Sequence, residues 1–175
     1  MPFQRQYTKY EVQGMLKIFQ GNRAFQGFQN GVPQRANAPA HANIHGGANF
    51  IEQRARVNTP GQPRATGTYW TEDDQINATM EILNYHLSQV QLRRLDLGDR
   101  RLSLEAPLAN GRYRISVAED NSNIGAGVAG HAGRNNPARR GAGSTHHQGF
   151  ARKGFVLLVC GVGGLLQVQT SYPIM

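Results

Sequence analysis

One cysteine, Cys160, is all the chain has. An intrachain disulfide framework and a cysteine-rich zinc site are therefore excluded. Cys160 sits at the end of the apolar run Phe155-Val-Leu-Leu-Val-Cys160 and reads as a small buried hydrophobe. Long apolar runs are missing as well. No stretch reaches the roughly 18 to 20 residues of a membrane span. The first residues, Met-Pro-Phe-Gln-Arg-Gln, have no apolar signal core. A conventional export signal is not expected; delivery within a larger secreted chain is. Carboxylates are scarce and end early, at Asp120. Beyond it stand Arg134, Arg139, Arg140, Arg152 and Lys153 with no acid to offset them. Lysine is scarce too, 3 against 16 arginines.

The net charge is +8 and the pI about 10.3. Guanidinium groups grip phosphate through two parallel N–H donors and stack on bases. A one-sided basic field of this kind points to a polyanionic partner, most simply nucleic acid. Several other chemistries lack their motifs. There is no P-loop, no Gly-x-Ser-x-Gly and no His-Glu-x-x-His. Gly125-Ala-Gly127-Val-Ala-Gly130 matches a dinucleotide fingerprint in spelling but lacks the strand before and the helix after it.

With 175 residues, 39% of them apolar, and a mean hydropathy of -0.52, the chain suits one lean domain. Thr8 and Glu11 have capping-box spacing, and Val12, Met15, Leu16 and Phe19 repeat at helical intervals over residues 8–20. Residues 20–40 show no period and read as a linker or arm, so the expected division is 1–40, helix and arm, and 41–175, the functional domain. A short helix is expected over Asn49–Arg56. A long one is expected over 72–90, with Thr71 as N-cap, acids in its first turn and an apolar stripe of Ile76, Met80, Leu83, Leu87 and Val90. His86 beside that stripe reads as a packing or surface residue. Arg101–Glu105 and Arg112–Val117 alternate as half-buried strands, and the Asn110-Gly111 turn suggests that they pair. Residues 121–154 read as a long basic loop with one short strand near Ile124. Gly154–Cys160 and Leu165–Tyr172 form a closing hairpin around Gly161–Gly164, with Pro173 as its stop. Helices first and antiparallel strands later give an α+β fold.

On the last strand, side-chain alternation puts Val168, Thr170 and Tyr172 on one face. Two neighbouring hydroxyls can bind a phosphate oxygen and a ribose or base. Taken by chemistry alone they are first of all ordinary strand residues, since both types favour strands. Six histidines are the other candidates: His41, His45, His86, His131, His146 and His147. Metal-independent RNA cleavage needs a base for the 2'-OH, an acid for the 5'-oxygen and a cation for the phosphorane. Histidine serves as base or acid near neutral pH. His45 with Arg56 is the first pairing, His41 with Arg54 the second. Adjacent His146 and His147 project in different directions and make a poor metal site.

Four segments carry a family resemblance: Ala65-Thr-Gly-Thr-Tyr-Trp70 leading into the helix from 72, Ile124-Gly-Ala-Gly-Val128, Phe155-Val-Leu-Leu-Val159, and the ending Thr170-Ser-Tyr-Pro173. Over roughly residues 41–175 the chain resembles the ribonuclease A-like toxin domains at the C-termini of contact-dependent inhibition and polymorphic toxins. More broadly it is similar to the barnase, EndoU and colicin type ribonuclease toxins. The resemblance implies a curved antiparallel sheet with helices on one side, here without disulfides. It implies catalytic roles for His45, Arg56, Thr170 and Tyr172, with His41, Arg54 and Lys153 as substrate contacts and no metal or cofactor. It also implies an RNA substrate in the target-cell cytoplasm, a cognate immunity protein and a monomeric toxin tail. Two other readings compete. An ADP-ribosyltransferase toxin would use Arg56 and Ser144-Thr145, but the late acidic residue it needs is missing. A basic nucleic-acid-binding module without catalysis would use the arginines with Tyr113 and Phe150.

Overall fold

The structure is a computed structural model that describes residues 3–17, 23–29, 32–39, 45–46, 65–120, 144–160 and 165–175. In chain order its elements are helix α1 (Lys9–Lys17), strands β1 (Arg23–Gln29), β2 (Val32–Pro39) and β3 (Ala65–Tyr69), and helices α2 (Glu72–Asn84) and α3 (His86–Asp96). Strands β4 (Arg101–Pro107), β5 (Arg114–Asp120), β6 (Ser144–Phe150), β7 (Lys153–Cys160) and β8 (Leu166–Ile174) follow. The strands form one two-stranded pair, β1-β2, and two three-stranded sheets ordered β3-β5-β6 and β4-β7-β8, all antiparallel. This is an α+β fold with its one cysteine, Cys160, buried and no disulfide.

The core lies between the helices and the two larger sheets. Strand β4 alternates strictly, with Leu102, Leu104 and Ala106 buried and their neighbours exposed. On β7, Val156 and Leu158 point the same way, and Gly154 faces Ile82 of α2 so closely that an added Cβ would lie 2.6 Å from its Cδ1. Helix α1 contributes Val12, Met15 and Leu16 to the same cluster, after Tyr7. Thr8 Oγ1 accepts the Glu11 N–H at 3.2 Å, the capping bond its spacing predicts. Thr71 caps α2 likewise, its Oγ1 accepting from the Asp74 N–H at 3.0 Å. Among the described residues no helix is long and apolar enough to cross a membrane.

Several sequence expectations about the fold change. The helix expected over 72–90 breaks at Tyr85, which is extended at φ -63° and ψ 136°. Asn84 is diverted there into a reciprocal pair with Tyr7: its Oδ1 accepts the Tyr7 N–H at 2.7 Å, and its Nδ2 donates to the Tyr7 carbonyl at 2.9 Å. Gln89 Nε2 donates to the Leu83 carbonyl at 2.8 Å, satisfying part of the broken helix end. The apolar stripe therefore stops at Leu83. Leu87 and Val90 are exposed, and α3 buries Ser88, Leu92 and Leu95 instead. His86 is a surface residue, as expected.

The second change is in pairing. β4 and β5 both alternate, yet they do not pair with each other. The continuous apolar run of β7 belongs at a sheet centre and takes β4 and β8 on its two edges. β5 goes to β3 and β6. Asn110-Gly111 is a turn, with Gly111 at φ +70°, but it carries the chain from one sheet to the other. Third, within the aperiodic stretch expected as a linker, Arg23–Gln29 and Val32–Pro39 pair as antiparallel strands β1 and β2. Fourth, the end of the expected basic loop is strand β6, and Tyr113, proposed above for nucleic-acid contact, is a core residue 1% exposed. Its hydroxyl donates to Glu81 Oε2 at 2.5 Å. The expected helix at 49–56, the strand near Ile124 and the turn at 161–164 lie outside the described residues.

Three core tyrosines make stability sensitive to alkali. Burial pushes the Tyr7 hydroxyl up to about 12 and those of Tyr69 and Tyr113 higher still. An unfolded phenol ionises near 10. Above that pH the unfolded chain releases protons that the folded chain retains, so stability falls as pH rises. The contribution is complete below about pH 10 and disappears progressively through 12 and beyond. Urea midpoints measured at pH 8, 9, 10 and 11 are expected to be level over the first two and to drop over the last two. A flat series to pH 11 would contradict the burial of these hydroxyls.

Candidate active site

The two closing strands pair antiparallel as their sequence predicts, with one irregularity that matters. Leu158 pairs with Val168, but Leu157 pairs with Thr170, so Gln169 is an extra residue bulged out of the ladder. The bulge resets the alternation. Val168 lies with Leu158 on the helix-facing side, wholly buried. Thr170 and Tyr172 lie with Leu157 and Phe155 on the opposite, outer side. The expectation that Val168, Thr170 and Tyr172 share one face is thus corrected for Val168 and holds for the two hydroxyl residues. Pro173 does not stop the strand, which runs on to Ile174. Among the described residues β8 stands at the edge of its sheet, where the missing proline N–H is tolerated.

Between Thr170 and Tyr172, Ser171 points the other way and anchors the strand to α2. Its hydroxyl lies 2.7 Å from that of Thr79, and its carbonyl accepts from Gln75 Nε2 at 3.0 Å. Thr79 Oγ1 also lies 2.6 Å from the Gln75 carbonyl. Gln75, Thr79 and Ser171 are all fully buried. Buried polar groups with this many partners hold their elements in one arrangement.

His45 comes to this strand end from far away in sequence. Its neighbour Gly46 bridges to Tyr69 of β3 and packs on Gln75, where an added Cβ would lie 2.3 Å from Oε1. Gly67 of β3 passes close over Pro173; a Cβ there would lie 2.6 Å from the proline carbonyl oxygen. That approach lets one backbone serve both sheets. The Gly67 carbonyl takes the His45 ring at Nδ1, 2.7 Å away. A carbonyl oxygen can only accept, so Nδ1 carries the hydrogen and Nε2 is the nitrogen that gains or loses a proton. The imidazole is 4% exposed and lies 5.3 Å, centroid to centroid and tilted at 43°, from the ring of Tyr172.

Tyr172 is half-buried, and burial, with Glu105 nearby, pushes its hydroxyl above its ordinary value. It is therefore a hydrogen-bond donor at neutral pH. Phe155 stacks on its ring at 4.8 Å and 24°. Thr170 is 6% exposed, and its Oγ1 has no hydrogen-bond partner among the described residues. The same holds for Gln167 Oε1, two side chains along on the outer face.

Of the residues singled out from sequence, the structure brings His45 and Tyr172 together, with Thr170 beside Tyr172 on one face. Lys153 is exposed at the start of β7 and forms an ion pair with Glu105. His41, Arg54 and Arg56 lie outside the described residues. Gln75, Thr79, Ser171 and Phe155 were not legible as site residues. A glutamine and a threonine in the middle of α2 look like surface positions, and Phe155 is lost within an apolar run. Among the described residues no three histidine, cysteine or acidic side chains lie together as metal ligands.

No family model matches the chain, and no curated protein does. Among solved structures, a chain from the crystal structure of the CdiA-CT/CdiI complex of Y. kristensenii 33638 is similar, with 10% sequence identity. The alignment covers 76% of this chain and 96% of that one, with a TM-score of 0.47. An overlap of that size assigns neither residues nor activity.

Proposed function

We propose that the chain is a toxin-type ribonuclease that cuts RNA by metal-independent transesterification and is held in check by a dedicated partner protein. The observation that carries the chemistry is the His45 imidazole, fixed through Nδ1 on the Gly67 carbonyl beside the Tyr172 hydroxyl strand. The toxin role rests on the family resemblance of the segments quoted above. The absence of carboxylates after Asp120 supports a polyanionic substrate.

In the first step the 2'-oxygen attacks the adjacent phosphorus. The 2'-O–P bond forms, the P–O5' bond breaks, and a 2',3'-cyclic phosphate and a free 5'-hydroxyl result. His45 Nε2 takes the 2'-OH proton, or in the protonated form gives one to the departing 5'-oxygen. Tyr172, kept protonated, donates a hydrogen bond to a nonbridging phosphate oxygen as charge builds there. Arg56 supplies the cation for the phosphorane, and His41, Arg54 and Lys153 hold flanking phosphates. Thr170 adds a second hydroxyl from the same face. Its oxygen is closed to solvent, so its part requires the outer face to open as substrate enters.

The test is incubation of the purified chain with total RNA in excess EDTA. Fragments are expected from at least one of the tRNA and rRNA pools. Intact RNA in every pool at high protein concentration would end the ribonuclease reading.

A further inference from the structure

We infer that the other three-stranded sheet, β3-β5-β6, carries at its Trp70 end a second binding site for single-stranded nucleic acid, where Arg114 holds a phosphodiester and Phe150 stacks the adjoining base. The inference rests on the ribonuclease reading for RNA as the natural ligand, but not for the binding chemistry of the site.

Strand pairing sets three side chains in a row. β5 lies between β3 and β6. The Trp70 N–H, directly after β3, donates to the Arg114 carbonyl at 3.0 Å, and Arg114 pairs across the sheet with Phe150 of β6. Their chain neighbours Tyr69 and Ile115 point into the core and are wholly buried. Alternation therefore puts Trp70 and Arg114 on the opposite, outer face. At Gly149 an added Cβ would meet Met175 Cε at 3.2 Å on the inner side, so Gln148 and Phe150 face outward as well. The row is open to water: Arg114 is exposed, and Phe150 is 51% exposed. Along β3, Trp70 stands three residues beyond Gly67, whose carbonyl holds His45. At the rise of a strand that is about 10 Å. An RNA bound at His45 thus reaches Arg114 with nucleotides adjoining the cut.

The way Arg114 is held indicates what it binds. Arg5, Arg94 and Arg112 are each ion-paired with a carboxylate, on Glu11, Asp99 and Glu81. Arg114 is held by two neutral groups instead. Its guanidinium lies 3.9 Å from the centroid of the Trp70 ring, and one terminal nitrogen donates to Gln148 Oε1 at 3.2 Å. Among the described residues no carboxylate pairs with it. A ring face and an amide fix the plane of the fork without neutralising its charge. The remaining N–H donors are left for an anion from solvent, and a planar fork of this kind matches the paired oxygens of a phosphate. Phe150, directly beside it, adds a half-exposed aromatic ring. Every base has a flat face, so stacking there accepts any sequence. A cation for the backbone next to a ring for the base is the pairing that single strands require, and a duplex with its bases stacked inside does not use the ring.

Trp70 is the only tryptophan in the chain, so its fluorescence reports on the site directly. The full chain is titrated with an oligothymidylate about eight nucleotides long, within the usual span of a single-strand site. This probe has no 2'-hydroxyl and is not cut by transesterification. A saturable change in Trp70 emission is expected, with affinity falling as salt rises. Arg114→Gln should weaken binding about tenfold and lower the slope of log affinity against log salt by about one, the signature of one lost phosphate contact. Phe150→Ala should weaken binding about fivefold or more and leave the salt slope unchanged. Arg94→Gln removes the same unit of charge from an arginine paired with Asp99 on α3, and should stay within about twofold of the parent. All three side chains are exposed, so the fold survives each change. No change in Trp70 emission at any oligonucleotide concentration overturns the inference. So does a loss in Arg114→Gln no larger than in Arg94→Gln, which would leave net charge as the whole effect, or parent-like binding by Phe150→Ala. Failure of the ribonuclease reading has a separate signature. RNA would stay intact in the digestion assay while the Trp70 response and its weakening in Arg114→Gln persisted.

Discussion

Replacing His45 with alanine is expected to lower RNA cleavage by about 10²- to 10⁴-fold, the usual contribution of a positioned general acid or base. RNA affinity should stay within a few-fold of the parent chain. The expectation comes from the hydrogen bond that sets the tautomer of the ring. With Nδ1 donating to the Gly67 carbonyl, only Nε2 can change its proton, and a base must present a lone pair to the 2'-OH. Alanine removes that nitrogen but none of the arginines and lysine that draw in a polyanion. Cleavage rate and filter-binding affinity, measured on the same preparation, separate the two functions. A purely binding protein would show no cleavage for the substitution to remove. Loss of affinity in step with loss of cleavage would instead make His45 a binding residue. Because the ring is buried, far-UV circular dichroism on the variant must match the parent before the rates are compared.

Leu158→Ala is expected to cost about 2 to 5 kcal/mol of folding stability, as truncating a fully buried leucine does. Leu158 is wholly buried at the centre of its sheet, with Leu102 on one side and Val168 on the other. The lost side chain leaves a hole between strands that are held on both edges and cannot collapse into it. In a chain of this size the midpoint of thermal unfolding should fall by roughly 5 to 20 °C. A lower urea midpoint with an unchanged slope would confirm that stability alone has moved. Below the lowered midpoint the variant should still cleave RNA at close to the parent rate, because Leu158 points to the helices while Thr170 and Tyr172 point away from them. A drop under 1 kcal/mol would contradict the packing, and a stable but inactive variant would contradict the assignment of faces.

That assignment shows where sequence reading reaches and where it stops. Local chemistry was legible. Thr71 and Thr8 cap the helices their spacing predicts, the run 155–160 is a central strand, and Thr170 and Tyr172 do share a side. What was not legible depends on contacts between distant residues. Nothing around Asn84 and Tyr85 is a helix breaker by composition; the break follows from a reciprocal hydrogen-bond pair with Tyr7, 77 residues away. Strand periodicity marked β4 and β5 but cannot choose partners, and the demand of β7 for two neighbours separated them. The Gln169 bulge is one extra residue in a strand of ordinary alternation, and it turned Val168 away from Thr170.

The site was half legible for the same reason. Hydroxyls on the last strand can be picked out by alternation, and His45 by the chemistry RNA cleavage needs. Their convergence is made by two glycines. Gly46, next to His45, packs against Gln75, and Gly67 lets β3 approach Pro173 and present its carbonyl to the ring. In the sequence both are ordinary loop or strand glycines. The polar anchor formed by Gln75, Thr79 and Ser171 is likewise invisible before the helix and the strand are brought together.

The central claim is that the His45–Tyr172 site cuts RNA through the 2'-hydroxyl, and the ends of the product RNA test it most directly. RNA digested in EDTA should carry 2',3'-cyclic phosphates and 5'-hydroxyls, and a substrate with 2'-deoxyribose at the cut position should resist cleavage. Products ending in 3'-hydroxyl and 5'-phosphate, or equal cleavage of the 2'-deoxy substrate, would contradict it.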